Sequence, residues 1–233
     1  MSDLEKRVLI VGCGRSGTKY AATLITNLGL DVPHEVMGKD GIATWCMAVD
    51  CEDSPWGGGR RGIAFKTILH QVRHPLKVIP SFTTANKQSW KFIERYVPIS
   101  ADEPVLLRAT KYWYYWNLES ERAAQWTYRV EDLNNIFPEF CARLGVNADY
   151  GILQKTNTSI NTRKPSGSAR PRSLLGWLAR GRPAEKTDES FSYTGEPFTW
   201  AVLEKHAPGW SSRIMDLARR YGYSVEDDHL AEN

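Results

Sequence analysis

The sequence is poor in cysteine and has no long hydrophobic run. Its four cysteines, at positions 13, 46, 51 and 141, are irregularly spaced and too few for a disulfide framework, which favours a reducing compartment. No window approaches the roughly 18 consecutive apolar residues that a membrane-spanning helix needs. The charged start, MSDLEKRVLI, is unlike the apolar segment of a signal peptide. We therefore expect a cytoplasmic protein that does not insert into a membrane.

A large excess of one charge is also missing. Thirty Lys and Arg stand against 27 Asp and Glu, a net charge of +3 that does not point to nucleic acid as a partner. The distribution is less even, because no acidic residue lies between Asp149 and Glu185, where seven basic residues occur. An extended anionic acceptor and a solvated loop would each explain this basic segment, residues 151–184.

Candidate metal ligands are sparse. Cys46 and Cys51 lack the second cysteine pair that a zinc site of this kind would need. His70 and His74 are followed directly by Pro75, which disfavours a regular helix that would present both imidazoles on one side. The sequence therefore predicts no metal site.

The order of elements along the chain predicts the fold. Apolar runs at 7–12, 63–72 and 125–130 predict strands, and helical patterns follow them. We expect helices at 18–28, at about 81–96 after a turn around Pro80, at 104–122 and within 131–146, and one or two more within 198–223, interrupted near Pro208 and Gly209. Residues 1–233 are thus expected to form a single α/β domain with a central, mainly parallel sheet flanked by helices, and a P-loop-like strand–loop–helix at the N-terminus.

Two further segments stand out by composition. Residues 151–196 are rich in Ser, Thr, Arg, Pro and Gly, and we expect a mobile excursion or lid there. The aromatic run at 112–116 lies in the most apolar predicted helix, so we expect its rings to be core, with some able to line an acceptor pocket.

A glycine-rich loop, Gly12-Cys13-Gly14-Arg15-Ser16-Gly17-Thr18-Lys19, follows the first predicted strand and opens the first helix. Backbone N–H groups and the positive end of the helix then face one small volume that suits an anion. A dinucleotide fingerprint would need a second strand ending in Asp or Glu, but Asp31 lies in a short segment broken by proline. A Walker loop would need Lys followed by Ser or Thr, whereas here Thr18 precedes Lys19, which removes the magnesium ligand.

In a third interpretation, the cations Arg15 and Lys19 and the hydroxyls of Ser16 and Thr18 surround a phosphate that carries a transferable group. The sequence R-S-G-T of this loop resembles the 5′-phosphosulfate loop of sulfotransferases that use 3′-phosphoadenosine 5′-phosphosulfate as donor. The resemblance implies metal-free binding of this donor by Gly14, Arg15, Ser16, Gly17, Thr18 and Lys19. Tyr20, directly after the loop, would stack on the donor adenine or pack within the helix.

A second motif concerns the 3′-phosphate of the same donor. In VRHPLKVIPS, Arg73 ends a predicted strand and Ser81 follows eight residues later, which is similar to the 3′-phosphate motif of this family. A guanidinium can bind phosphate oxygens through two hydrogen bonds. The segments YRVEDL, FTW and YGY resemble further parts of the family. Lys19 departs from the second Thr of many relatives, and the Arg-Lys-Gly element that often completes the site appears only loosely, as RKPSG at 163–167.

Sulfuryl transfer needs cations near the leaving phosphate and a base for the acceptor proton. The resemblance assigns the first role to Arg15 and Lys19 and favours Glu35, which follows the first helix, as the base, with His34 in reserve. We expect a sulfotransferase acting on a hydroxyl of a carbohydrate or small molecule, with a protein tyrosine as second choice. A kinase that uses magnesium ATP and a non-catalytic adenosine-nucleotide-binding protein are the alternatives.

Overall fold

The computed structural model describes residues 5–159 and 197–226. Its centre is a parallel sheet of four strands in the order β2-β1-β3-β4, formed by β1 Glu5–Val11, β2 Gly41–Ala43, β3 Ala64–Val72 and β4 Trp126–Arg129. The helices are α1 Thr18–Asn27, α2 Pro75–Phe82, α3 Lys87–Ile93, α4 Val105–Ala123, α5 Phe137–Leu144, α6 Tyr150–Ser159, α7 Trp200–His206 and α8 Ser211–Arg220. The predicted single α/β domain with a parallel sheet is confirmed.

Alternate residues of the strands supply two apolar cores, because successive side chains of a strand point to opposite faces of the sheet. Leu9 and Val11 face a core that includes α2, α3, α4, α7 and α8. Val8 and Ile10 face the second core, beneath α1, α5 and α6. The sheet is therefore covered on both faces, and its polar groups of interest lie at the carboxyl edge, where the strands end.

The prediction of one helix over about 81–96 is wrong. Pro75 opens α2 instead, and the Nδ1 of His74 accepts the Leu76 N–H as its cap, at 3.2 Å. Pro80 is tolerated inside this helix, which ends at Phe82. A new cap then starts α3, because the Asn86 side chain accepts the backbone N–H of Ser89. Proline thus lies near the end of one short helix and does not separate a turn from a long one.

Other boundaries differ more mildly. The three residues of β2 are too short for a recognisable pattern, so the strand predicted third is β4. The helix expected within 131–146 begins only at Phe137, with Pro138 in its first turn. Part of the expected excursion is helical, because α6 extends to Ser159. This helix packs against α1, where Asn27 donates a hydrogen bond to Thr156 at 3.1 Å. Residues 160–196 of that excursion lie outside the described residues.

Several predicted elements are confirmed. β1 and α1 match the expected strand and helix around the glycine-rich loop, β3 ends immediately before Arg73, and α4 begins after Pro104. α7 and α8 are separated at Pro208 and Gly209 as expected. Within the described ranges, no helix is both long enough and apolar enough to cross a membrane.

Candidate functional site

The glycine-rich loop lies between the end of β1 at Val11 and the start of α1 at Thr18. Gly17 takes the N-cap position of α1 with φ +96°, in the left-handed region that glycine adopts readily, and offers no side-chain cap. Because the first N–H groups of a helix have no intrahelical partner, they can serve an anion in front of the loop.

Helix α4 supports the loop from below. The backbone N–H of Gly14 donates to the hydroxyl of Tyr112 at 2.7 Å, and both groups are buried. The Tyr112 ring stacks on Phe82 with centroids 3.9 Å apart. A Cβ at Gly14 would lie 2.8 Å from Phe82, so only glycine allows this approach. Trp113 and Trp116 of the aromatic run are fully buried, in line with the prediction that the run is mainly core.

Strand β3 holds the loop from the side. Its Gln71 side chain donates to the carbonyl oxygen of Ser16 at 2.8 Å and accepts a hydrogen bond from Tyr128 at 2.7 Å. Arg73 donates to the carbonyl of Arg15 at 3.0 Å. The C=O and N–H of a trans peptide point in opposite directions. The hydrogen bond from Gln71 to the Ser16 carbonyl therefore turns the N–H of Gly17 away from β3.

A cavity of about 660 Å³ opens beside the loop. The loop and the start of α1, the segments on both sides of β2, the residue after β3, and α2 and α3 with the residues between them form its wall. The lining residues are Gly14, Arg15, Gly17, Thr18, Lys19, His34, Glu35, Trp45, Trp56, Arg73, Lys77, Ser81, Phe82, Thr84, Ala85, Asn86 and Ser89. The structure thus brings together most of the residues that the two sequence motifs single out.

Three cations of this cavity have no ion-pair partner among the residues that the structure describes. In the part of the chain that the structure describes, the side chains of Arg15, Lys19 and Lys77 form no ion pair and no hydrogen bond. Glu35 is the one carboxylate among the described lining residues. The cavity therefore carries an excess of positive charge that suits an anionic ligand.

Glu35 and His34 lie together on the cavity wall. The Glu35 backbone N–H donates to Ala43 at the end of β2, at 3.1 Å. His34 Nε2 is 3.1 Å from the Thr18 hydroxyl, and His34 Nδ1 is 3.8 Å from a Glu35 carboxylate oxygen. Burial lowers the pKa of His34; the Glu35 charge opposes this shift and the Lys19 charge reinforces it. This shift favours the neutral ring, which is within hydrogen-bond distance of the Thr18 hydroxyl but beyond that distance from the carboxylate.

Two predicted donor-binding residues lie away from the cavity. Ser16 is fully buried, and its hydroxyl has no hydrogen-bond partner in the described structure. Tyr20 is only 8% exposed and packs in the core beneath α1, so the structure shows the packing alternative for its ring. The remaining candidates, Gly14, Arg15, Gly17, Thr18, Lys19, Glu35, Arg73 and Ser81, all line the cavity, as does His34.

The sequence analysis did not identify Lys77, Trp45 or Trp56. Trp45 and Trp56 form an aromatic wall of the cavity, with ring centroids 5.1 Å apart. Nothing local in the sequence indicates that these two rings meet. The sequence does contain an indication of Lys77: it precedes Ser81 by four residues, a spacing that places both side chains on one face of a helix.

In the described part of the chain, no group of three or more His, Cys, Asp or Glu side chains is placed to hold a metal ion. Comparisons with protein-family models, with curated proteins and with solved structures each found no match. The functional assignment therefore depends on the geometry and charge of the cavity.

Proposed function

We propose that the protein is a sulfotransferase that moves a sulfuryl group from 3′-phosphoadenosine 5′-phosphosulfate to a hydroxyl of a carbohydrate or small molecule. One observation supports this most: after the ends of two neighbouring strands, β1 and β3, cations that form no ion pair with any described residue line a single cavity. Two anion positions in one cavity suit a nucleotide that carries phosphate on both sides of its ribose.

The donor fits the residues present. Arg15, Lys19 and the open N–H groups of α1 would hold the 5′-phosphosulfate, and Arg73 with Ser81 would hold the 3′-phosphate. The cavity volume of about 660 Å³ falls within the range of roughly 300–1,000 Å³ that is usual for ligand sites. When bound, the donor supplies an activated sulfuryl group. The protein then needs to position the donor and the acceptor, neutralise the charge on the leaving phosphate and remove the acceptor proton.

Glu35 is suited to remove that proton. In the proposed transfer, a bond forms between the acceptor oxygen and sulfur as the bond from sulfur to the bridging phosphate oxygen breaks. The acceptor proton passes to Glu35, and the electron pair of the broken bond leaves with the bisphosphate, whose charge Arg15 and Lys19 stabilise. His34 lies between Glu35 and the loop, with its ring 3.1 Å from the Thr18 hydroxyl and 3.8 Å from the carboxylate.

The aromatic wall suits the acceptor. Trp56 belongs to the segment that packs against the Glu35 backbone, because a Cβ at Gly57 would lie 3.4 Å from Glu35 atoms. An indole offers a flat apolar surface to the C–H face of a sugar ring or to another small molecule. A hydroxyl of such an acceptor would then lie beside the proposed base.

Isothermal titration calorimetry with adenosine 3′,5′-bisphosphate and with ATP, each with and without magnesium, tests the proposal. We expect tight, metal-independent binding of the bisphosphate. A preference for magnesium ATP would instead indicate a kinase. Binding of the bisphosphate without any turnover of the donor across a panel of sugar and phenolic acceptors would indicate a non-catalytic nucleotide-binding protein.

A further inference from the structure

We propose that Lys77 is a specificity residue, which makes the protein select nucleotides that carry a 3′-phosphate over those that carry a 5′-phosphate alone. This inference rests on the proposed function and extends it to Lys77, a residue of the second motif to which the sequence analysis gave no role. It is supported by the position of Lys77 on α2, by the absence of a partner for its ammonium among residues 5–159 and 197–226, and by the divided role of Arg73.

The first support is the geometry of α2. Lys77 and Ser81 are four residues apart on this helix and therefore lie on one face. Both line the cavity, as does Arg73 just before the helix. The rotation of the helix is fixed at its start, because His74 caps it through its side chain and donates its backbone N–H to Glu131 at 3.0 Å. Lys77 and Ser81 thus share one face of α2 on the cavity wall, to which Arg73 also contributes.

The second support is the distribution of hydrogen bonds. Arg73 already donates to the carbonyl of Arg15 at 3.0 Å, so part of its guanidinium serves the glycine-rich loop. The Lys77 ammonium has no hydrogen bond or ion pair with any residue that the structure describes. Lysine carries three donors on a flexible stem and can adjust to a phosphate held by its neighbours.

These observations assign different residues to the 5′ group and to the 3′-phosphate of the nucleotide. The loop provides Arg15 and Lys19 for the 5′ group, which every adenosine 5′-phosphate shares. Lys77 lies on the face of α2 that carries Ser81, where a second phosphate next to Ser81 would compensate its charge. Removal of this charge should therefore weaken the binding of a bisphosphate far more than that of adenosine 5′-monophosphate.

The test measures both nucleotides by calorimetry on the wild-type protein and on Lys77→Ala and Lys77→Met. We expect the affinity for adenosine 3′,5′-bisphosphate to fall about tenfold or more, as for the loss of one charge-assisted hydrogen bond. The affinity for adenosine 5′-monophosphate should change less than about twofold. Lys77→Arg should restore most of the selectivity. Lys91→Ala, which removes an exposed lysine of α3 outside the cavity, is the matched control.

The outcomes separate the inference from the function beneath it. If the wild-type protein does not prefer the bisphosphate to the monophosphate, the proposed function fails and the inference fails with it. If the wild-type preference is present but Lys77→Met weakens both nucleotides equally, or neither, the inference alone is overturned. Equal thermal unfolding midpoints of wild type and Lys77→Met establish that the variant is folded.

Discussion

Two residues of the cavity have an unusual backbone. Among the described residues other than glycine, Arg15 with φ +72° and Glu35 with φ +57° are the ones in the left-handed region. Such a conformation costs on the order of 1–3 kcal/mol and persists only where the surroundings fix it. Arg73 fixes the carbonyl of Arg15, and Ala43 holds the N–H of Glu35. Strain at these two positions agrees with the roles proposed for their side chains.

Glu35→Gln tests the proposed base. The amide keeps the size of the side chain but cannot take the acceptor proton, so we expect turnover to fall by about 10²–10⁴-fold. The dissociation constant of adenosine 3′,5′-bisphosphate should change less than about twofold, because Glu35 does not contact the nucleotide in the proposed site. Initial rates of sulfuryl transfer and calorimetry measure these two effects. Glu139→Gln, on the exposed side of α5, is the control, and full activity in Glu35→Gln would exclude it as the base.

At the residue scale, the sequence indicated which charged residues lie near the cavity better than it indicated where individual side chains point. The pattern located the ends of β1 and β3, which Arg15 and Arg73 follow, and the two ends of α1, near which Lys19 and Glu35 lie; all four residues line the cavity. Tyr20 was harder to predict, since it is the third residue of α1 and its direction depends on how the helix turns its apolar face to the sheet. Side-chain directions at a helix start are determined by packing, which spacing alone does not reveal.

At the element scale, β3 organises the site. It pairs with β1 and β4, supplies Gln71 and Arg73 to the loop and contains the buried His70. The His70 ring is 3.1 Å from the Thr127 hydroxyl on β4 and 3.0 Å from the Asn117 amide oxygen on α4. This histidine therefore connects β3, β4 and α4 within the core.

Burial makes His70 a source of acid sensitivity. Burial lowers the pKa of His70 to about 4, although Asn117 and the charge of Glu121 oppose the shift. The unfolded chain, with a histidine pKa near 6.5, then binds more protons than the folded one between these values. The free energy of unfolding should therefore fall as the pH decreases from about 6.5 to about 4, by roughly 3 kcal/mol from this residue.

Urea unfolding across that pH range measures this contribution. In His70→Gln the pH dependence should be smaller by about the same amount, even if the variant is less stable at neutral pH. His206→Gln, which changes an exposed histidine at the end of α7, should keep the wild-type dependence. An unaltered slope in His70→Gln would show that His70 is not the group that titrates.

Element prediction succeeded where an apolar run was long and failed where a local feature had two meanings. The nine residues of β3 were recognisable, whereas the three residues of β2 were not. The sequence predicts a helix boundary at Pro80, but Pro80 lies inside α2, which begins at Pro75 with His74 as its N-cap. A proline is readily accepted in the first turn of a helix, as Pro75 is, whereas Pro80 removes one i→i−4 hydrogen bond of α2. The sequence does not reveal that α2 accepts this loss.

At the scale of the whole molecule, the sheet order explains why the two motifs meet. From β1 the chain moves to β2 on one side and then passes to β3 on the other, so the connections diverge at the carboxyl end of β1. Open parallel sheets usually bind ligands at such a switch point. Arg73 is 58 positions away from Arg15 along the chain, yet its guanidinium contacts that residue. The predicted parallel sheet is sufficient to imply that the segments after β1 and β3 lie at the same edge of the sheet.

A crystal structure of the protein with adenosine 3′,5′-bisphosphate tests the central claim most directly. We expect the Arg73 guanidinium and the Ser81 hydroxyl within hydrogen-bond distance of the ribose 3′-phosphate, and the 5′-phosphate in front of the loop that contains Arg15 and Lys19. A bisphosphate bound elsewhere, or bound in the cavity with Arg73 turned away from its 3′-phosphate, would contradict the claim.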